Sequence, residues 1–69
     1  MEPKAQVGHN IRRRRDELQI TQEEAAHRSG IHPVEFARAE RGTRDLRVST
    51  VVKIARGLGL PAADLLDGV

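Results

Sequence analysis

The sequence predicts an all-α protein that forms one domain, residues 1–69, from five short helices. Apolar residues recur with the 3.6-residue period of an α-helix. No run alternates apolar and polar residues for long enough to suggest a strand. Glycines and prolines, which tend to end and begin helices, divide the chain into short pieces.

The first two helices are predicted from an apolar stripe and a capping pattern. A first helix from about Ala5 to Leu18 carries three apolar residues on one face: Val7, Ile11 and Leu18. The sequence TQEE then forms a capping box, in which Thr21 accepts from the amide of Glu24 and the Glu24 carboxylate reaches back to the amide of Thr21. The second helix therefore runs from about residue 22 to residue 29, and Gly30 ends it.

Three further helices follow. Pro33 suits the first position of a helix that runs to about Glu40 and stops at Gly42. Residues 48–58 form the fourth helix, whose expected core face holds Val48, Val51, Ile54, Ala55 and Leu58. After Pro61, a short fifth helix covers Ala62 to Leu66.

Size and composition exclude several classes of protein. A chain of this size buries only about 60% of its unfolded surface. There is no cysteine, so disulfides and thiolate metal sites are absent. No apolar run approaches the ~20 residues of a membrane span, and residues 1–6 lack the apolar stretch of a signal peptide. We therefore expect a cytoplasmic protein that is not an enzyme, with no membrane association and no large enclosed active site.

The positive charge is small in total but unevenly placed. The net charge is +2, yet residues 12–15 are four consecutive arginines. Residues 38–47 hold four more arginines against only Glu40 and Asp45. A guanidinium can fork onto a phosphate or a guanine edge, which favours a polyanionic partner. The alternative is an ordinary solvated charged surface.

The second and third helices form a predicted helix-turn-helix. Only a few residues around Gly30 join them, so they cross at a steep angle. Small residues allow this close crossing: Ala25, Ala26 and Ala39. Projection at about 100° per residue turns Phe36, Ala39 and Glu40 inward. The outward residues of this helix are Val34, Glu35, Arg38 and Arg41, and a helix of this width fits the DNA major groove.

Four segments in order carry a family resemblance: TQEEAA at 21–26, GI at 30–31, ERG at 40–42 and KIARGLGL at 53–60. In sequence and spacing they resemble the phage-repressor/Cro-like helix-turn-helix family, from about Val7 to Leu66. The resemblance implies a five-helix lambda-repressor-like domain. It also implies a sequence-specific transcriptional regulator that binds double-stranded DNA at a palindromic operator as a homodimer.

The resemblance also implies roles for individual residues. The base-reading positions are Pro33, Val34, Glu35 and Arg38. The phosphate-binding positions are Gln22, Arg41, Thr43 and Arg44, and Gln22 also braces the third helix. A structural ion pair is expected between Arg15 and Glu40, with Arg14 as the rival partner. The expected dimer interface holds Val52, which flanks the core face of the fourth helix, together with Leu65 and Leu66.

Some residues depart from the family pattern. Ala25 replaces a usual leucine, and Arg14 lies on the apolar stripe of the first helix where leucine is preferred. Pro33 and Val34 stand where polar readers are common and cannot donate side-chain hydrogen bonds to bases. Arg38 and Glu35 therefore remain as the main polar readers, and Val34 can contact a thymine methyl.

Other functions have weaker support. The spacing of His9, His27 and His32 fits no common zinc pattern, and His32 is better explained as a cap before Pro33. We expect no catalytic residue, metal, cofactor or small-molecule ligand. Restriction–modification controllers and phage-type repressors are both compatible with a module of this kind. The competing hypothesis is an antitoxin or other interaction module whose main partner is a protein.

Overall fold

The computed structural model describes residues 1–69 and contains five helices: α1 Pro3–Leu18, α2 Gln22–Ser29, α3 Pro33–Arg41, α4 Val48–Gly57 and α5 Ala62–Leu65. It contains no strand, so the predicted all-α class is confirmed. Helix α1 begins two residues earlier than expected because Pro3 occupies its first turn, where a missing N–H costs nothing. None of the helices combines the length and apolarity needed to cross a membrane.

The start of α2 forms half of the predicted capping box. Thr21 Oγ1 accepts a hydrogen bond from the Glu24 amide at 3.1 Å. The reciprocal bond is not formed, because the Glu24 carboxylate instead accepts from Arg28 Nε at 3.1 Å, one turn further along the helix. At the other end, Gly30 adopts φ +69°, a left-handed conformation that a residue with a Cβ rarely tolerates.

Replacing the α2 cap tests its contribution to stability. We expect Thr21→Ala to lower the free energy of unfolding by about 1 kcal/mol, because the Glu24 amide loses its acceptor. Urea unfolding followed by circular dichroism measures this change. Ser49→Ala is the matched control, since Ser49 is an exposed hydroxyl near the start of α4 and makes no side-chain hydrogen bond. Equal stabilities of the two variants would show that the cap contributes nothing.

The core lies where the five helices meet. It contains eleven buried apolar residues: Val7, Ile11, Ala25, Ala26, Phe36, Ala39, Val51, Ile54, Ala55, Leu58 and Leu65. Helix α1 packs on α3 and α5, while α2 packs on α3 and α4. The bundle therefore holds the helix-turn-helix, α2 and α3, between α1 on one side and α4 on the other.

Two expectations about apolar residues are wrong. Val48 was expected on the core face of α4, but it is 81% exposed, because the first residue of that helix extends past the elements that cover the rest. Leu65 was expected at a subunit interface, but its side chain is only 1% exposed and belongs to the core. A side chain buried within one copy of the chain has no surface left for a second copy.

A close approach of backbones brings α1 onto α3. Gly8 faces the end of α3, and a Cβ at this position would lie 2.5 Å from the Glu40 carbonyl oxygen and 2.8 Å from that of Ala39. Only glycine permits this contact. The same approach brings the second half of α1 within side-chain reach of Glu40.

Candidate nucleic-acid interface

A buried carboxylate braces the helix-turn-helix. Glu40, near the end of α3, accepts hydrogen bonds from Arg15 Nε and Nη2, both at 2.8 Å. Gln22 Nε2 at the start of α2 donates to the same carboxylate at 3.3 Å. The third guanidinium nitrogen, Arg15 Nη1, donates to the Ile20 carbonyl in the α1–α2 turn at 2.9 Å. This network joins α1, α2 and α3 and fixes the angle at which α3 is presented.

The arginine of this network is held in its charged form. The hydrogen bond with Glu40 raises the pKa of Arg15 above its ordinary value, and burial opposes the rise. The negative charges of Glu40 and Asp16 add to the increase. The raised pKa means that folding stabilises the charged form of Arg15, so the ion pair contributes its full stability at any pH below the pKa of this arginine in the unfolded chain. The stability is lost only as the pH rises through the pKa of Arg15 in the folded protein, in strongly alkaline solution.

Arg14, the rival partner for Glu40, binds elsewhere. Its Nε donates to the carbonyl of Leu58 at 2.9 Å, and its Nη1 lies 3.6 Å from a carboxylate oxygen of Glu17. Leu58 caps the C-terminus of α4, where a cation interacts favourably with the helix dipole. An arginine is therefore accommodated at a position where an apolar residue would be expected.

The first turn of α3 is fixed by its cap. His32 Nδ1 accepts from the Val34 amide at 3.1 Å, and Pro33 follows as the first residue of the helix. The expectation that His32 caps this helix is confirmed. Pro33, Val34 and Glu35 are all exposed.

The outer face of α3 carries the predicted base-reading residues. Val34 and Glu35 lie in the first turn, and Arg38 follows one turn later, half-buried. Arg41 is exposed at the end of the helix. Neither arginine has a carboxylate within 4 Å; the lysine and arginine residues that do are Lys4, Arg14, Arg15 and Arg28.

A cleft separates α3 from the loop that leads into α4. It has a volume of about 280 Å³ and is lined by Glu35, Arg38, Ala39, Arg44, Asp45, Leu46, Arg47 and Thr50. Three arginines without ion partners thus border one concave surface beside the outer face of α3. Arg47 was not among the predicted site residues, although the recurrence of arginine every third residue from 38 to 47 is a signal that points to it.

Two predicted phosphate-binding residues make bonds within the protein. The Thr43 hydroxyl donates to the Arg38 carbonyl at 3.3 Å, where it helps to end α3. Gln22 gives one amide hydrogen to Glu40, which leaves its second amide hydrogen free. Thr43, Arg41 and Arg44 are exposed, and Gln22 is half-buried.

The three residues expected at a dimer interface differ in their exposure to solvent. Leu66 is 46% exposed and Val52 is half-buried, whereas Leu65 is internal. Val69 is also exposed, at the end of the C-terminal turn. Two exposed apolar residues, Leu66 and Val69, therefore follow α5, and one of the two leucines assigned to the interface is unavailable.

Comparisons with known proteins agree with this geometry. Residues 11–65 match the model of a helix-turn-helix family. A relative from Sinorhizobium fredii, the uncharacterized HTH-type transcriptional regulator y4dJ, is 36% identical over 66 residues, which are 96% of this chain and 86% of that protein.

Solved structures show the same fold. A hypothetical transcription factor from Neisseria, NHTF, superposes with a TM-score of 0.89 at 29% identity, covering 94% of this chain and 75% of that one. The restriction–modification controller protein C.AhdI from Aeromonas hydrophila superposes with a TM-score of 0.86 at 26% identity, covering 90% of this chain and 94% of its own.

Proposed function

We propose that this chain, which belongs to the Cro/C1-type helix-turn-helix family of DNA-binding transcriptional regulators, reads a palindromic operator as a homodimer. The observation that carries the proposal is the outer face of α3. There Arg38 lies one turn after Val34 and Glu35, with no carboxylate partner, beside a cleft bordered by two further arginines. A helix that presents such side chains can enter the major groove and contact base edges.

The base readers have distinct chemistry. Arg38 can donate two hydrogen bonds to O6 and N7 of one guanine, and Glu35 can accept from the N4 amino group of a cytosine. Val34 can pack against a thymine methyl group. Pro33 offers neither a donor nor an acceptor on its side chain, so it contributes shape alone. Arg38 therefore carries most of the discrimination between bases.

The phosphate contacts surround this helix. Arg41 and Arg44 are exposed and unpaired, so each can neutralise a backbone phosphate without breaking an internal bond. Gln22 can donate its free amide hydrogen while its other hydrogen stays on Glu40. Thr43 must redirect its hydroxyl from the Arg38 carbonyl to donate to a phosphate. Arg47 joins this set, because it borders the same cleft as Arg44.

A second copy supplies the second half-site. One module offers few base contacts, whereas two modules spaced by a helical turn of about 34 Å read a palindrome. The domain measures 26 × 20 × 19 Å, so two copies side by side have dimensions compatible with that spacing. Leu66 and Val52 form the proposed contact, at the end of α5 and the edge of α4.

Sedimentation tests the homodimer. We expect the protein to sediment as a dimer at tens of micromolar and Leu66→Asp to sediment as a monomer, because a charge replaces exposed apolar surface at the proposed contact. Val34→Asp, measured without DNA, is the control, since Val34 is an equally exposed apolar residue that lies on α3 and not on α4 or α5. A wild-type protein that remains monomeric with and without DNA would contradict the proposal.

Restriction–modification control is the regulatory system with specific support. The controller from Aeromonas hydrophila shares the fold, and 94% of its length is covered at 26% identity. We propose that the operator lies in front of genes for a restriction enzyme and its methyltransferase. Mapping the sites bound in the source genome tests this assignment, and sites confined to prophage promoters would favour a phage-type repressor instead.

A further inference from the structure

Three polar residues on successive turns of α1 hold the C-terminal part of the chain. Gln6, Asn10 and Arg14 are spaced by four residues, so they lie in one row along the helix. Arg14 binds the Leu58 carbonyl at the end of α4, as described above. Asn10 binds the segment that follows α5, and Gln6 Nε2 donates to Asn10 Oδ1 at 3.1 Å.

Asn10 is the central member of this row. Its side chain is buried, at 3% exposure, and its amide nitrogen donates to the carbonyls of Leu65 at 2.9 Å and Asp67 at 2.8 Å. Both amide hydrogens and the oxygen are therefore engaged. The bond from Gln6 fixes which end of the amide faces the two carbonyls. These bonds connect the first helix to residues 55 and 57 positions later in the chain.

The two anchored carbonyls flank the exposed leucine of the proposed dimer contact. Leu66 lies between Leu65 and Asp67, so fixing both neighbours fixes the direction in which the Leu66 side chain leaves the domain. Helix α5 has only four residues, too few to be stable by itself. The residues that follow α5 form short hydrogen-bonded turns. One of these hydrogen bonds, from the Asp67 amide to the Asp64 carbonyl, is long at 3.5 Å.

We propose that Asn10 is a positioning residue for dimer assembly, which orients the turn 65–69 so that Leu66 can pack against a second copy of the chain. This inference rests on the proposed homodimer. Asn10 acts from inside the domain and touches neither the partner nor DNA. A change at Asn10 therefore loosens one segment and weakens pairing while α3 keeps its position.

The variant Asn10→Asp tests the proposal. The carboxylate has the shape of the amide but no N–H to donate, and it is repelled by the two carbonyl oxygens. We expect hydrogen exchange of the Leu66 and Val69 amides to rise about tenfold or more, and the dimer dissociation constant to rise by a similar factor. Helix content and the exchange protection of α3 should stay unchanged.

Three further variants make the result specific. His9→Asp introduces the same charge at the neighbouring exposed position. Val7→Ala truncates the core on the same helix and lowers the melting temperature while leaving the hydrogen bonds from Asn10 to the turn in place. Gln6→Ala removes the bond that orients the Asn10 amide and the part of the Gln6 side chain that lies beside Gly68 in the same turn. It should raise the dissociation constant by a smaller factor than Asn10→Asp, and it provides the test if Asn10→Asp fails to fold.

The outcomes separate the two claims. If the wild-type protein is monomeric, the homodimer is wrong and the positioning role falls with it. If the wild-type protein is dimeric, then equal dissociation constants for Asn10→Asp and His9→Asp overturn the positioning role alone. The same holds if Val7→Ala weakens the dimer as much as Asn10→Asp, since the effect is then one of general stability.

Discussion

Glu40→Ala is expected to lower the free energy of unfolding by about 3 kcal/mol, at the lower end of the range for breaking a buried ion pair, because the Arg15 side chain retains some exposure. The loss is large because the variant leaves the Arg15 guanidinium and the Gln22 amide without their shared acceptor. For a domain of this size, such a change lowers the melting temperature by more than about 10 °C.

Thermal and urea unfolding of three variants measure this effect. Glu35→Ala is the matched control, because Glu35 is an exposed glutamate of the same helix with no cation within 4 Å. Glu40→Gln keeps the shape of the acceptor and removes its charge, so its stability should fall between those of the wild type and Glu40→Ala. If Glu40→Ala and Glu35→Ala melt at the same temperature, the network does not stabilise the fold.

Arg38→Ala is expected to remove about 1–3 kcal/mol of base discrimination from each subunit. The reason is that a bidentate contact with guanine is made only at the correct sequence, whereas a phosphate contact is made on any duplex. Affinity for the operator should therefore fall far more than affinity for a scrambled duplex. The fold should be unaffected, since the Arg38 side chain makes no hydrogen bond or ion pair within the protein.

Arg44→Ala is the matched variant for this measurement. Arg44 borders the same cleft as Arg38, but it lies on the loop after α3. We expect Arg44→Ala to weaken binding to both duplexes about equally and to reduce the salt slope by about one unit. The measurement is a titration of each variant on operator and on scrambled DNA across salt concentrations. If Arg38→Ala lowers the affinities for operator and scrambled DNA by the same factor, then Arg38 binds phosphate, and base reading depends on Glu35, Val34 or DNA shape.

The helices were largely predictable because their signals are local. The Thr21 cap, the glycine that ends α2 and the proline that begins α3 each act within a few residues. The return bond of the capping box was predicted wrongly, since Glu24 has a second partner, Arg28, one turn away. The local sequence allows the Glu24 carboxylate to accept from either the Thr21 amide or Arg28, and it does not decide between these two bonds.

Tertiary contacts were harder to predict because periodicity describes one helix and not its neighbours. The family resemblance assigned Arg15 to Glu40, and the structure contains that pair, but periodicity within α1 did not separate Arg15 from its neighbour Arg14. The bond from Arg14 to the Leu58 carbonyl was not predicted, because it depends on how α4 packs. Leu65 and Leu66 were both assigned to the subunit interface, because a single turn of helix did not reveal that Leu65 enters the core. Asn10 carries no sequence signal, since its acceptors are carbonyls more than fifty residues away.

Selection from a pool of random duplex oligonucleotides tests the central claim most directly, because it requires no knowledge of the operator. We predict an enriched site with two symmetric half-sites about ten base pairs apart, centre to centre. Each half-site should contain a guanine whose enrichment disappears in a parallel selection with Arg38→Ala. A pool that shows no enriched sequence, or an enriched site without symmetry, would contradict a homodimer that reads a palindrome through α3.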